Sequence, residues 1–214
     1  MSHKTIINLN SIKSEVEKIN KNAKIIAVSK TFQIEQIGPL IKFGHKHFGE
    51  NKVQEAVSKW TDIKKTNPEI QLHLIGKLQT NKIKYAVKLF DYIHSVDSMK
   101  VAKKISDEQQ KNNKKVKIFI QVNIGNEHQK SGINVNHIDD IILYCRELKL
   151  NVLGLMCIPP ISTDPTYYFK NINDLNIRYG FNDLSMGMSS DYLLAAKFNA
   201  TYLRIGSNIF GKRT

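Results

Sequence analysis

The stretch Val116-Lys117-Ile118-Phe119-Ile120-Gln121-Val122-Asn123-Ile124 decides the fold class. Successive side chains of an extended chain point to opposite sides, so Val116, Ile118, Ile120, Val122 and Ile124 share one face. Lys117, Phe119, Gln121 and Asn123 occupy the other, with the amides near its end. A strand with a wholly aliphatic face needs a cover, and the flanking sequence supplies helices. Upstream, Met99, Val101, Ala102 and Ile105 repeat at helical spacing; downstream, Ile138, Ile141, Ile142 and Cys145 do the same.

Outward from this strand the alternation runs to both ends. Towards the N-terminus, strands are predicted at Ile25-Ile26-Ala27-Val28, His45-Lys46-His47-Phe48, Gln71-Leu72-His73-Leu74-Ile75 and Phe90 to Ser95. The helices between them carry Ile34, Ile37, Leu40 and Ile41, closed near Gly44, then Val53, Ala56, Val57, Trp60 and Ile63, then Asn81 to Lys88. Towards the C-terminus, Val152-Leu153-Gly154-Leu155-Met156 is a strand that Pro159-Pro160 cannot extend. A helix from Tyr167 to Arg178, a strand at Leu184-Ser185-Met186, a helix from Ser190 to Phe198 and a strand at Tyr202-Leu203-Arg204-Ile205 follow. An extra helix precedes everything, with Leu9, Ile12, Val16 and Ile19 on one face and Ser11 as its cap. About eight strand–helix units with short connections mean a parallel sheet, and that number favours closure into a (β/α)8 TIM barrel, an α/β fold in one domain over residues 1–214. No G-x-G-x-x-G follows the first strand, as an open dinucleotide-binding sheet would ask.

Composition agrees. Of 214 residues, 41% are apolar and 24% charged, which excludes a disordered or fibrous chain. No run approaches the ~18 apolar residues of a membrane span, and Met1 to Ser14 holds no apolar signal core. Cys145 and Cys157 are the only cysteines and form no C-x-x-C, as expected of a reducing, cytoplasmic setting. The net charge of +13 is unusual, and a basic face is what phosphate backbones select. Lysine outnumbers arginine 28 to 4, however, and apolar residues interrupt the densest clusters, Lys82-Ile83-Lys84 and Lys114-Lys115-Val116-Lys117. Readers of nucleic acid favour arginine forks and exposed aromatics. A solvated lysine surface is the better reading, with neither nucleic acid nor membrane as partner, though such a field attracts small anions over long range.

Barrels keep their chemistry where the strands end. The small or polar residues at those ends are Ser29-Lys30-Thr31, Gly49-Glu50-Asn51, Gly76, Ser95, Asn123, Gly187-Met188-Ser189 and Gly206-Ser207; the sixth strand, ending in Met156-Cys157, is the exception. Lys30 follows four apolar residues and one serine. A partly desolvated lysine sheds its proton more readily and becomes a nucleophile for carbonyls, although a lone strand-end lysine more often snorkels to solvent. Loops after the seventh and eighth strands of barrels often build a phosphate site. Here those loops are Gly187-Met188-Ser189-Ser190-Asp191, leading into a helix, and Gly206-Ser207-Asn208. Glycine lets a phosphate approach the backbone, while hydroxyls and helix N-termini supply donors. Each loop alone reads as capping or a turn. Both, with a lysine on the first strand, fit a phosphorylated aldehyde better: pyridoxal 5′-phosphate (PLP). His45 and His47 would share a strand face, but no third metal ligand accompanies them, and solvent-facing histidines are expected.

Several motifs in order carry a resemblance: Ala27-Val28-Ser29-Lys30-Thr31, Phe48-Gly49-Glu50-Asn51 with Gln54-Glu55, His73 to Lys82, Gln121-Val122-Asn123, Gly154-Leu155-Met156, Leu184 to Asp191, Arg204-Ile205-Gly206-Ser207 and Ile209 to Arg213. Nearly end to end, the chain resembles the pyridoxal phosphate homeostasis proteins, which are related to the PLP-binding N-terminal barrel domain of alanine racemase (PLP fold type III). The resemblance implies that Lys30 carries the cofactor as an internal aldimine and that Ser189, Gly206 and Ser207 hold the phosphate. It implies that Asn51 approaches the ring region, that Arg204 faces the pyridine nitrogen, and that Met188 and Ile75 pack nearby. Ser207 stands where many relatives have threonine, and both supply a hydroxyl. Cys157 is read as a small core residue near the cofactor mouth and, second, as a redox-sensitive group.

A guanidinium stays protonated, so Arg204 donates to a ring nitrogen without giving up its proton, and the cofactor is a poorer electron sink. The racemases of this fold have the same arginine but take a second acid/base, a tyrosine, from another domain. With the chain closing at Thr214 after the barrel, no such domain is expected, and the spacing of Tyr192 and Tyr202 supports neither as a substitute. The resulting expectation is a monomeric PLP carrier without strong catalysis that could pass PLP to apo-enzymes; a weak amino-acid racemase or decarboxylase is the alternative.

Overall fold

Eight parallel strands close into a barrel in strict sequence order, each hydrogen-bonded to the next and β8 back to β1. The computed structural model describes residues 3–127, 129–161 and 163–211; Met1-Ser2 and the motif residues Lys212 and Arg213 lie outside the described residues. The strands are β1 (Lys24–Val28), β2 (His47–Glu50), β3 (Gln71–Leu74), β4 (Tyr92–Val96), β5 (Lys117–Val122), β6 (Asn151–Cys157), β7 (Asp183–Met188) and β8 (Tyr202–Ile205). The helices are α1 (Lys4–Glu17) before the barrel, then α2 (Ile34–Lys42), α3 (Val53–Thr66), α4 (Ile83–Leu89), α5 (Met99–Asn112), α6 (Ile138–Glu147), α7 (Thr166–Arg178), α8 (Tyr192–Lys197) and the one-turn α9 (Ser207–Phe210).

The aliphatic face of the decisive strand does meet helices. Ile118, Ile120 and Val122 join one continuous core with Ile105 of α5 and Ile138, Ile141 and Cys145 of α6. The opposite face of the sheet forms a separate, smaller cluster inside the barrel: Ile26, Tyr92, Phe119, Met156 and Tyr202. Alternation along each strand sorts residues between these two compartments.

Several local expectations are corrected. Ser11 lies inside α1; His3 is the cap, its Nδ1 accepting from the Thr5 amide at 3.3 Å. Ile19 falls past the helix end and is exposed, so the buried stripe stops at Val16. The second strand begins at His47, because Gly44 takes φ +88° and the His45 ring folds back onto the His47 carbonyl at 2.8 Å. A single 3₁₀ turn, Thr80–Lys82, precedes α4. The seventh strand is longer than its apolar run, since a register shift lets Ser185 pair with Tyr202 and Met188 with Arg204. That extra residue is a bulge, and Gly187 serves it with φ +86°. The turn α9 is an element that hydrophobic periodicity is too coarse to register.

Candidate functional site

The strand ends converge on a cavity of about 630 Å³ at the C-terminal mouth of the barrel. Its walls include Lys30 after β1, Asn51 after β2, Ile75 after β3, Met188 and Ser189 from β7 and its loop, and Arg204, Gly206 and Ser207 from β8 and its loop. All eight expected site residues therefore meet in one space. The ends of β4 and β5 send neither of their expected polar residues to it. Ser95 is buried inside β4, and Asn123 binds its own loop, its side chain donating to the Glu127 carbonyl at 2.9 Å and accepting from the Glu127 amide at 3.1 Å.

Lys30 sits between two clamped residues. The Ser29 hydroxyl donates to Glu50 Oε1 at 2.8 Å, and the Thr31 amide donates to Glu55 Oε1 at 2.8 Å. Thr31 has φ +70°, a conformation that a β-branched residue adopts only when its surroundings impose it. Lys59 joins the two clamps: its Nζ lies 3.0 Å from Glu50 Oε1, 3.4 Å from Glu55 Oε1 and 3.0 Å from the Ser29 carbonyl. The Trp60 indole donates to Glu50 Oε1 at 2.9 Å. Glu50 is fully buried, and a buried carboxylate is tolerable because it is paired and hydrogen-bonded. Sequence reasoning quoted Glu50 and Glu55 as motif members but gave them no role. Their partners lie 21 and 24 residues away, a pairing that no local pattern reports.

Arg204 is 4% exposed. Its Nη1 donates to Ser185 Oγ at 2.7 Å and its Nη2 to the Cys157 carbonyl at 2.8 Å. Among the described residues it makes no ion pair with a carboxylate, and Asp191 acts on it only through space. Burial lowers its pKa from the ordinary guanidinium value. Cys157 matters here through its backbone. Its side chain packs in the outer core, and burial pushes the thiol up to about 12. That makes it a protonated core residue, not a reactive thiolate, and corrects the redox-sensitive reading.

The two glycine loops are tied together. The Gly206 amide donates to Ser189 Oγ at 3.2 Å, and the Asn208 side chain donates to the Ser189 carbonyl at 2.9 Å. The helix after β7 starts at Tyr192, so Ser189 and Ser190 lie in the preceding turn and are not its caps. Asp191 reaches backward, accepting from the Met188 amide at 2.6 Å. Gly206 has φ −116°, outside the left-handed region, and a Cβ built there would meet nothing nearer than Val28 at 3.4 Å. Neither backbone conformation nor packing within the chain demands glycine at 206.

His45 and His47 are half-buried rather than solvent-facing, and burial lowers each to about 4. His47 Nδ1 lies 3.0 Å from His73 Nε2 inside the barrel. Among the described residues no group of three or more His, Cys, Asp or Glu is arranged to hold a metal. Tyr192 donates to Glu15 on α1 at 2.7 Å, and Tyr202 receives Lys24 Nζ at 3.1 Å at the N-terminal end of the barrel; neither lines the cavity. No helix among the described residues is long and apolar enough to cross a membrane.

Comparison with known proteins adds the following. The family model for the alanine racemase N-terminal domain matches residues 7–214. The chain is 37% identical over 201 residues to the pyridoxal phosphate homeostasis protein of Aquifex aeolicus (strain VF5), covering 89% of this chain and 87% of that protein. It is 32% identical over 199 residues to the protein of that name from Escherichia coli (strain K12), covering 88% and 85%. The solved structure of PipY from Synechococcus elongatus PCC7942 with PLP bound is similar at a TM-score of 0.88 and 31% identity, covering 97% of this chain and all (100%) of that one. An alanine racemase from Clostridium difficile 630 shares the fold at a TM-score of 0.76 and 15% identity, covering 98% of this chain and 57% of that one.

Proposed function

Because the chain belongs to the alanine racemase N-terminal domain family and, within it, to the pyridoxal phosphate homeostasis proteins, we propose that it binds PLP at the barrel mouth, holds it covalently through Lys30 and contributes to intracellular vitamin B6 and amino-acid homeostasis. The observation that carries this reading is the convergence of Lys30, Arg204 and the tied Ser189–Gly206 loops on one cavity. Its volume of about 630 Å³ lies within the ~300–1,000 Å³ usual for small-molecule sites.

The residues present fit the cofactor. Asn51 Oδ1 is buried and, among the described residues, has no hydrogen-bond partner, a vacancy a ligand hydroxyl would satisfy. Gly206 is unexplained by its own backbone and packing, and a phosphate pressed against the Gly206 backbone explains it. Ser189 and Ser207 add hydroxyl donors. When bound, PLP supplies an aldehyde carbon. Lys30 would hold the cofactor there, covalently and reversibly, through its amine. The Glu50 and Glu55 clamps fix the backbone on both sides of that lysine, so the nucleophile is aimed before the ligand arrives. A reversible hold of this kind would suit delivery to apo-enzymes in the cytoplasm.

We read the protein as a carrier rather than a catalyst, and the cavity lining supports that reading. Arg204 keeps its proton, so it would donate to a ring nitrogen without protonating it, which would weaken the electron sink that carbanion chemistry needs. Racemisation also needs a second acid/base. Among the described residues the cavity wall contains no tyrosine, histidine, cysteine or carboxylate. The test is the absorption spectrum of the purified protein with PLP, wild type beside Lys30→Ala, followed by borohydride reduction and mapping of the modified lysine. A yellow band, trapped at Lys30 and lost in the variant, is expected. Modification spread over surface lysines, or no band, overturns the reading. Lys30-dependent racemisation of an amino acid would favour the enzyme instead.

A further inference from the structure

A line of side-chain hydrogen bonds runs through the barrel interior from Arg204 towards the opposite end. Arg204 Nη1 donates to Ser185 Oγ at 2.7 Å. Ser185 Oγ is 2.8 Å from His94 Nδ1, His94 Nε2 is 2.9 Å from His73 Nδ1, and His73 Nε2 is 3.0 Å from His47 Nδ1. Each internal histidine uses one ring nitrogen towards Arg204 and the other away from it. Packing fixes the ring planes: His94 stacks on Phe119 with centroids 4.4 Å apart, and His73 stacks on Tyr92 at 4.1 Å. His73, His94 and Ser185 are fully buried, whereas His47 reaches partial exposure near Lys24 and Lys117.

We propose that Ser185, His94, His73 and His47 form a positioning relay for Arg204, with one hydrogen-bond polarity: Ser185 Oγ–H donates to His94 Nδ1, His94 Nε2–H to His73 Nδ1, and His73 Nε2–H to His47 Nδ1. That Arg204 faces the ring of a bound PLP rests on the proposed function; the relay itself does not.

Three arguments set the polarity. First, a serine hydroxyl has one hydrogen and two lone pairs. With Arg204 donating to it, the proposed polarity uses that hydrogen on His94. The reverse polarity makes Ser185 Oγ accept from both neighbours and strands its hydrogen in a dry interior, where an unmet donor is unfavourable. Second, the guanidinium charge draws the acceptor end of every dipole towards itself, and aligned hydrogen bonds reinforce one another. Third, Lys24 and Lys117 pull the other way at the far end, but Lys24 is exposed and Lys117 partly so, and the Tyr202 and Tyr92 hydroxyls take up their ammonium groups, which weakens their field along the line. Burial holds His73 and His94 well below the ordinary imidazole range, so each is neutral with one donor and one acceptor, as a relay requires. The relay thereby stabilises a buried cation that has no carboxylate of its own and holds Nη1 in a single direction.

The first measurement needs no variant and no ligand. In ¹⁵N-labelled apo-protein near neutral pH, two-bond ¹H–¹⁵N correlation spectra distinguish the tautomers of His94 and His73. Nε2–H on both is expected. Nδ1–H on either, or an imidazolium, overturns the relay as described. The second measurement asks whether the relay acts through Arg204. Ser185→Ala and His94→Leu remove it, whereas His94→Gln retains a donor and an acceptor. The two breaking variants are expected to shift the absorption band of the PLP complex and weaken PLP binding about tenfold, with His94→Gln restoring most of both. Equal spectra and affinities in all three variants overturn the positioning role. Absence of a Lys30-linked band in the wild type would instead sink the proposed function and leave the apo-protein tautomers to decide the relay.

Discussion

The two faces of the barrel sheet are built from opposite chemistries. The outer face, with Ile118, Ile120, Leu155 and Leu203, meets helices mainly through apolar side chains, the contacts of Glu50 with Lys59 and Trp60 of α3 being a polar exception. The inner face alternates apolar anchors such as Ile26, Phe119 and Met156 with His73, His94, Ser185 and Arg204. The outer face can be assembled from interchangeable parts, because burial is non-directional and any aliphatic residue of suitable volume serves. The inner face cannot, because every polar atom there needs a partner at one distance and one angle. Stability and site geometry are thus largely divided between two sides of the same strands, with the Glu50 clamp, made against α3, the exception.

The largest expected effect exploits that division through pH. His45, His47, His73 and His94 are all held neutral by burial, the first two with values near 4 and the others lowered well below 6.5. Their folded values lie below the unfolded value, so as pH falls the unfolded chain takes up protons first. The stabilisation is complete above about pH 6.5 and is lost as pH falls from there towards 4. With up to four protons taken up on unfolding, the slope approaches about 5 kcal/mol per pH unit near the middle of that window and slackens towards pH 4, where His45 and His47 take up protons in the folded state as well. Urea midpoints at pH 7.5, 6 and 5 measure it. A flat profile over this range would break the claim that the interior is a neutral polar string.

Next comes a pure outer-face lesion. Phe169 of α7 is fully buried in the outer core and makes no polar contact used by the site. Phe169→Ala is expected to lower unfolding free energy by about 3–5 kcal/mol, through lost burial and a residual cavity. It is expected to do so equally at pH 7.5 and pH 6, and to leave the Lys30 adduct unchanged below the melting temperature. Calorimetry at the two pH values, with borohydride trapping, checks both halves. A pH-dependent loss, or a lost adduct in the folded variant, would mean the two faces are not separable.

What the sequence made legible follows the same division. Helical periodicity in the Ile138–Cys145 stretch and strict alternation in the Val116–Ile124 stretch are local patterns, and they led directly to the outer core and the strand order. The candidate site residues were legible for a different reason: Lys30, Asn51, Ser189, Gly206 and Ser207 sit at strand ends, where a barrel turns chain position into spatial position, whereas Ile75 and Arg204 entered only through the family resemblance. The clamps and the relay were not legible. Ser185 and His94 are 91 residues apart, and Arg204 meets the Cys157 carbonyl across 47. His94 read as an ordinary residue of a β-rich run, and His47 as a solvent-facing one, because nothing near either in the chain announces a partner. The start of the second strand was misplaced on the same ground: only the folded His45–His47 contact shows where it begins.

Two glycines give the smallest effects on stability and the finest comparison. Gly187 belongs to the fold. It has φ +86°, and a Cβ there would lie 2.5 Å from Ala195 Cβ. Gly187→Ala is therefore expected to lower stability by about 1–3 kcal/mol, with or without ligand. Gly206 is different, since its φ of −116° suits any residue and its nearest neighbour stands at 3.4 Å. Gly206→Ala is expected to change stability by less than about 1 kcal/mol, the conformational gain of alanine offsetting a tight contact. On the proposed function its effect falls at the phosphate: the added methyl would keep an anion from the Gly206 backbone and turn part of the cradle apolar. PLP affinity is expected to fall about tenfold or more, while pyridoxal, which lacks the phosphate, binds the variant and the wild type alike. Equal loss for both ligands would move the phosphate away from Gly206. A large loss of stability without ligand would return this glycine to the fold, leaving Ser189 and Ser207 as the anion's contacts.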